Sequence, residues 1–114
     1  MTGLAEVLWR MQMDGAVRVI RLATPLDLDG FVGELSRCHE NVDRWVAKQP
    51  GHKAVRGWLI TGNGVFVKHS VVDTGAGLLD VTPRLGANSP TMLDFIAWKD
   101  EFDRLPHQVI YPFA

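Results

Sequence analysis

The sequence predicts an α+β fold in which an antiparallel sheet is covered by a helix. From Cys38 to Lys48, apolar residues recur every three to four positions, as they do on one face of a helix. Three segments, 54–61, 65–72 and 78–82, are rich in β-branched residues and are separated by glycine-containing turns, which is typical of strands joined in hairpins. The predicted helix carries the chain's single cysteine in its first turn.

Length and composition fit one domain covering residues 1–114. The chain has 46% apolar residues and a formal charge of −1, and it shows no repeat, low-complexity tract or linker. Lys and Arg are scattered rather than gathered into a basic stripe, which argues against nucleic-acid binding. The apolar runs are too short for a membrane span and the first residues lack a secretory signal, so we expect no membrane association and a cytoplasmic location.

The first third of the chain predicts one helix, one strand and one helical turn. Helical spacing from Leu4 to Met11 ends at Asp14-Gly15, where a break is expected. The segment 17–22 is rich in β-branched residues and predicts a strand. Pro25 and the acidic residues after it lead into a short helical turn predicted at 31–35.

The helix from Cys38 to Lys48 has recognisable ends. Ser36 is a suitable N-cap, and Pro50-Gly51 stops the helix. Cys38 lies in the first turn, on the side that Val42 and Trp45 are expected to bury.

The strand 65–72 follows Gly62-Asn63-Gly64, a strong hairpin signal. Its alternation places His69 on one face together with Val65, Val67 and Val71. This face lacks the lysine of the opposite face, so it is predicted to be the core face. His69 is then expected to point towards the helix that covers the sheet.

The next turn decides where Asp80 lies. A two-residue loop, at either Thr74-Gly75 or Gly75-Ala76, sets Asp80 opposite His69 or one diagonal step away on the same face. Gly75 at the first loop position suits a type II′ turn. A three-residue loop instead turns Asp80 to the other side of the sheet.

The C-terminal part contains two further predicted strands. Ser89-Pro90 is typical of a helix start, yet residues 92–98 alternate well enough to favour a strand. Residues 107–112 predict a short edge strand ended by proline.

Cys38, His69 and Asp80 together form a candidate catalytic triad. A thiol at a helix N-terminus has a lowered pKa and becomes a better nucleophile when an imidazole accepts its proton. A carboxylate beside the imidazole orients the ring and stabilises its charge. Backbone N–H groups at the helix start are suited to binding an oxyanion.

The segments around these residues resemble the papain-like and transglutaminase-like thiol fold. The resemblance covers roughly Cys38 to Pro83: a helix that carries the cysteine, the strand Phe66-Val67-Lys68-His69-Ser70-Val71-Val72, and the segment Leu78-Leu79-Asp80-Val81-Thr82-Pro83. It implies a cysteine hydrolase or acyltransferase acting on an amide, peptide or ester bond. Cys38 would be the nucleophile, His69 the base and Asp80 the orienting residue.

One expected oxyanion donor is missing from this pattern. Papain-like enzymes usually carry a Gln shortly before the nucleophile, and residues 31–37 contain none. His39 and Asn41 are the candidates for that oxyanion role, or for partners that hold the triad in place. Trp58 lies next to the hairpin and is a candidate cleft wall, although packing in the core is the usual role of a tryptophan.

Structural interpretations of the same residues stay open. A lone cysteine is often an inert core thiol, a buried His often bonds to backbone, and an Asp at a strand end often caps nearby N–H groups. No C-x-x-C or H-x-x-x-H pair supports a metal site, so neither metal nor cofactor is expected. The alternatives to an enzyme are a non-catalytic interaction module of the same fold and a homo-oligomeric structural protein. A chain this short has little material for specificity loops, so a partner chain is one way to complete a pocket.

Overall fold

The computed structural model describes residues 3–83 and 92–113. In chain order these residues form α1 (Leu4–Met13), β1 (Arg18–Leu22), α2 (Pro25–Leu28), α3 (Cys38–Lys48), β2 (Lys53–Gly62), β3 (Val65–Asp73), β4 (Leu78–Asp80), β5 (Met92–Ala97), a 3₁₀ turn (Phe102–Arg104) and β6 (Gln108–Ile110). The α+β class is confirmed.

The described strands close into a five-stranded barrel. Neighbouring strands follow the order β2, β5, β1, β4, β3, and β3 pairs again with β2. β6 is added to β3 outside this ring. β1 and β4 run parallel, which corrects the expectation of an antiparallel sheet. The periodicity of a strand indicates which of its faces is buried, but it does not indicate which other strand it pairs with.

The barrel interior and its outer surface have separate apolar clusters. The cluster inside the ring consists of five apolar side chains that pack together: Ile20, Leu59, Val71, Leu78 and Phe95. Because β3 alternates, His69 shares the inward face with Val71.

Two helices cover the outer surface of the barrel. Leu8 of α1 packs against Trp58, Phe66 and other outward residues at one end. Val42 and Trp45 of α3 pack on Val72 of β3 and on β4 at the other end. α3 therefore covers the face opposite His69, and the expectation that His69 points towards the covering helix is wrong.

The turn between β3 and β4 takes the second of the two predicted registers. Asp73 pairs with Leu78, and the Thr74 N–H donates to the Gly77 carbonyl at 3.0 Å, which leaves Gly75-Ala76 as the loop. Gly75 has φ +88°, as the first position of a type II′ turn requires. Asp80 consequently lies one diagonal step from His69 on the same face.

Two local predictions before α3 are wrong. The helical turn forms at α2 rather than at 31–35, because Thr24 and Asp27 make a reciprocal capping box and Pro25 opens the helix. Ser36 is not the N-cap of α3: it has φ +60°, and Arg37 occupies the capping position without a side-chain hydrogen bond.

The C-terminal strands are found where the sequence predicted them. β5 confirms the strand interpretation of 92–98, and β6 is an edge strand followed by Pro112. The predicted helix start at Ser89-Pro90 lies outside the described residues. No helix in residues 3–83 or 92–113 is long and apolar enough to cross a membrane.

Candidate active site at the open edge of the barrel

The candidate site lies at an opening along one edge of β3. β4 pairs with this edge at Val72, and β6 pairs with it at Val67, after which the Lys68 N–H donates to the carbonyl of His107 at 2.9 Å. In the described part of the chain, neither strand pairs with residues 69–71. The first residue of α3 reaches this opening, where the Ser70 N–H hydrogen-bonds to the Cys38 sulfur.

His69 and Asp80 form a buried pair beside this opening. Nε2 of His69 lies 2.8 Å from Oδ2 of Asp80, and the other carboxylate oxygen, Oδ1, accepts a hydrogen bond from the Thr82 N–H at 3.1 Å. His69 is 9% exposed and Asp80 is 2% exposed. Because Nε2 is engaged with the carboxylate, Nδ1 is the ring nitrogen left for the thiol.

The thiol and the imidazole shift each other's pKa in opposite directions. Burial raises the pKa of the Cys38 thiol, but hydrogen bonding to His69, the charge of that ring and the Ser70 N–H together lower it below its usual range. Burial disfavours a charged His69 ring, but the hydrogen bonds and charges of Asp80 and Cys38 raise its pKa from 6.5 to about 9. Both shifts favour a thiolate beside an imidazolium.

The structure thus brings Cys38, His69 and Asp80 together by a route that the sequence did not predict. The helix does not cover the face that carries His69. Instead, the first turn of α3 lies at the gap between β4 and β6. Through this gap the Cys38 thiol, on the outside of the barrel, contacts the His69 side chain, which is on the inward face. Cys38 is only partly buried, and it lines the cleft described below.

His39 lies beside the thiol but belongs to a polar network on the outer face. Its Nδ1 hydrogen-bonds to Oγ of Ser70 and lies 3.8 Å from Sγ of Cys38. Arg56 donates to the same Oγ at 3.1 Å, so the Ser70 hydroxyl proton is directed to Nδ1 of His39. Burial and the charge of Arg56 lower the pKa of His39, which favours a neutral ring. This geometry fits a positioning partner of the thiol.

Asn41 ties the loop before Cys38 to the segment after Asp80. It is 1% exposed, its Nδ2 donates to the Glu34 carbonyl at 2.8 Å and to Oγ1 of Thr82 at 3.1 Å, and its Oδ1 accepts from the Glu34 N–H at 2.9 Å. These bonds engage the side chain fully. Asn41 is therefore placed to hold the site together, and its amide is not free to bind an oxyanion.

Replacing Asn41 by Ala is expected to lower the free energy of unfolding by about 2–3 kcal/mol, because this buried side chain makes hydrogen bonds to the Glu34 N–H, the Glu34 carbonyl and Oγ1 of Thr82, and all three are lost. Urea denaturation measures the change. Gln49→Ala, at an exposed position just after α3, is the control and should change stability by less than about 0.5 kcal/mol. A loss for Asn41→Ala no larger than the control's would contradict this role.

A cleft of about 320 Å³ opens beside the thiol and the imidazole. Its described lining includes Cys38, His69, Leu59, Val67, Pro83 and Thr82. Trp58 does not contribute to it, which corrects the cleft-wall expectation. That side chain is fully buried beneath α1, because neighbouring positions on β2 point to opposite faces.

No group of three or more His, Cys, Asp or Glu side chains in the described ranges is arranged to hold a metal ion. The carboxylate and imidazole are instead paired with each other.

No protein-family profile, curated protein sequence or solved structure matches this chain. Function has therefore to be inferred from the chemistry of the site, and the papain-like and transglutaminase-like resemblance stays a prediction.

Sequence reasoning missed two residues that shape the site. Ser70 supplies an N–H to the thiol and a hydroxyl to His39, and Arg56 anchors that hydroxyl while also pairing with Asp43 at 3.0 Å. Arg56 lies directly across from Ser70 in the β2–β3 ladder. Once a hairpin register is fixed, such cross-strand partners are readable from the sequence, but the approach of α3 to them is not.

Proposed function

We propose that this protein is a cysteine hydrolase or acyltransferase that acts on an amide, peptide or ester bond. The observation that carries the proposal is the meeting of a partly exposed thiol with a buried imidazole–carboxylate pair beside an open cleft. A nucleophile, a base and an orienting group are the parts that acyl transfer through a covalent intermediate requires.

Acylation begins from the thiolate–imidazolium pair. The Cys38 thiolate attacks the carbonyl carbon of the substrate, so that a carbon–sulfur bond forms and the carbonyl electron pair moves onto oxygen. The tetrahedral species collapses with cleavage of the bond to the leaving nitrogen or oxygen, which takes the proton from His69. The product of this step is an acyl thioester on Cys38.

Deacylation uses the same ring in the opposite sense. His69 accepts a proton from water, the resulting hydroxide attacks the thioester carbon, and cleavage of the carbon–sulfur bond releases the carboxylic acid and restores the thiolate. An amine in place of water gives acyl transfer instead of hydrolysis.

The start of α3 is suited to stabilise the oxyanion. No side chain caps this end of the helix, and the N–H groups of a first helical turn have no partners within the helix. They point, with the positive end of the helix dipole, towards the position of the nucleophile.

Alkylation of the native protein with iodoacetamide tests the proposal. We expect the rate to rise with pH around a midpoint below the usual thiol value of about 8.5, because His69 and the Ser70 N–H favour the thiolate. His69→Ala should raise that midpoint, because the thiolate loses the hydrogen bond and the charge of the ring.

His107→Ala is the matched control, because this exposed imidazole lines the same cleft, whereas the lowered pKa of the thiol is caused by His69 and the Ser70 N–H. The control should leave the midpoint unchanged. A thiol that reacts only after denaturation, or an accessible thiol with an ordinary midpoint and no ester hydrolysis, would overturn the proposal and favour a structural or interaction role.

A further inference from the structure

The interior of the barrel is filled at one end and open at the other. Ile20, Val71, Leu78 and Phe95 close the filled end. Towards the other end, the inward face of β3 continues from His69 to Val67, which is only partly buried. The cleft that contains the thiol is the open end of the barrel.

The floor of this open end is aliphatic. Leu59 and Val67 are directly paired across β2 and β3, so their side chains lie together on the inward face. Both line the cleft, together with Pro83. Of the described lining residues, none is Asp or Glu.

Lys68 also lines the cleft, but its charged end points away from the aliphatic floor. Its Nζ lies 4.8 Å from the centre of the Phe102 ring, in a cation–π contact on the outer side of the barrel. Lys68 lies between Val67 and His69 on β3, and successive side chains of a strand point to opposite faces. Its side chain therefore points outward while those of Val67 and His69 point inward. The floor therefore presents an aliphatic surface within reach of the nucleophile, and the basic residues Lys68, His69 and His107 line the cleft around it.

From this geometry we infer that the open end of the barrel is the acyl-binding subsite, and that it selects short aliphatic acyl groups. The inference rests on the proposed function, because it names the part of the substrate that enters beside Cys38. A volume of about 320 Å³ equals roughly ten water molecules at liquid density, enough for a chain of several methylenes.

Hydrolysis of p-nitrophenyl acetate, butyrate and hexanoate tests this subsite. Cys38 displaces p-nitrophenolate to form the thioester, and water then releases the carboxylic acid. We expect kcat/KM to rise about two- to fourfold for each added methylene, as aliphatic surface is buried on Leu59 and Val67.

Val67→Phe should fill the subsite. The expected result is a loss of about tenfold or more in kcat/KM for the hexanoate, with the acetate changed by less than about twofold. Val19→Phe adds the same bulk to β1 at a position that is 53% exposed and outside the cleft, and it should leave the chain-length dependence intact. Val67→Ala is a second variant, which removes aliphatic surface and does not require the fold to accommodate a larger side chain. It should weaken the dependence of kcat/KM on acyl chain length. Thermal unfolding confirms that each variant is folded.

Alkylation by N-methylmaleimide and N-hexylmaleimide separates this inference from the proposed function. The Cys38 sulfur adds to one alkene carbon, and the other takes a proton from solvent, so no turnover is needed. We expect the hexyl reagent to react faster with the wild type, and Val67→Phe to abolish that preference. Ester hydrolysis without chain-length dependence would overturn the subsite and leave the proposed function standing. A hexyl preference without any ester hydrolysis would overturn both the enzyme and the acyl assignment, and would leave only an aliphatic binding site.

Discussion

Asp80→Asn is expected to reduce the rate of acylation by about 10²- to 10⁴-fold. In the wild type, one carboxylate oxygen accepts from the Thr82 N–H and the other accepts from Nε2 of His69. An asparagine that keeps its oxygen on Thr82 turns its amide donor towards Nε2. The ring must then carry its single proton on Nδ1, where it can no longer accept the proton of the Cys38 thiol.

The same substitution should change stability in a pH-dependent way. The pKa of His69 is raised to about 9 in the folded protein from 6.5, so its contribution is complete below pH 6.5 and is lost as the pH rises through about 9. Asp80→Asn removes the part of this shift that comes from the hydrogen bond and the charge of the carboxylate. The deficit in unfolding free energy should therefore be largest at pH 6, at most about 3 kcal/mol, and should shrink by pH 10.

Stopped-flow measurement of p-nitrophenolate release gives the acylation rate, and urea denaturation at several pH values gives the stability. Asp94→Asn, at an exposed position on β5, is the charge-matched control. It should alter neither the acylation rate nor the unfolding free energy. An acylation rate for Asp80→Asn within threefold of the wild type, or a stability deficit that grows with pH, would contradict the assigned role of the carboxylate.

Gly57→Ala is expected to lower the free energy of unfolding by about 3 kcal/mol or more. A Cβ at this position would lie 2.2 Å from the Ile96 carbonyl oxygen, 2.5 Å from the Phe95 ring and 3.0 Å from the Ala97 Cα. Two of these neighbours are backbone atoms of β5, so relief requires β2 and β5 to separate. The cost is a large part of the total stability of a domain of this size.

Gly62→Ala is the control on the same strand, because its Cβ would meet nothing closer than 3.8 Å. That variant should change the unfolding free energy by less than about 1 kcal/mol. Equal effects of the two substitutions would refute the close approach of β2 and β5. Gly57 also lies directly opposite His69, so a folded Gly57→Ala variant should lose activity along with stability.

Much of the site followed from local patterns. Asn-Gly and Gly-Ala turns fix the hairpin registers, and a fixed register dictates which side chains share a face. The contact between His69 and Asp80 was predictable on this basis. The start of α3 at Cys38 was predictable from helical spacing, although its supposed cap, Ser36, was not confirmed.

The parts that could not be predicted depend on long-range closure. Alternation in β1 indicates a strand, but nothing local indicates that β1 lies parallel to β4 and completes a ring. Because the sheet closes into a barrel, α3 covers its outer surface and the His69 imidazole points into its interior. Periodicity predicts the same alternation for an open sheet with the helix packed on the His69 face, so it cannot distinguish the two arrangements. Trp58 was misplaced for a related reason, since α1 buries the outer face on which it lies.

The termini of β4 and β6 have a consequence for how the site evolves or is redesigned. Both strands compete for the same edge of β3, and the gap between them is the aperture through which sulfur reaches the imidazole. Two more residues of pairing by either strand would seal this aperture while leaving every member of the triad unchanged. The reactivity of the thiol thus depends on where β4 and β6 end. Insertions or deletions at the ends of these strands can open or close the aperture without changing any residue of the triad.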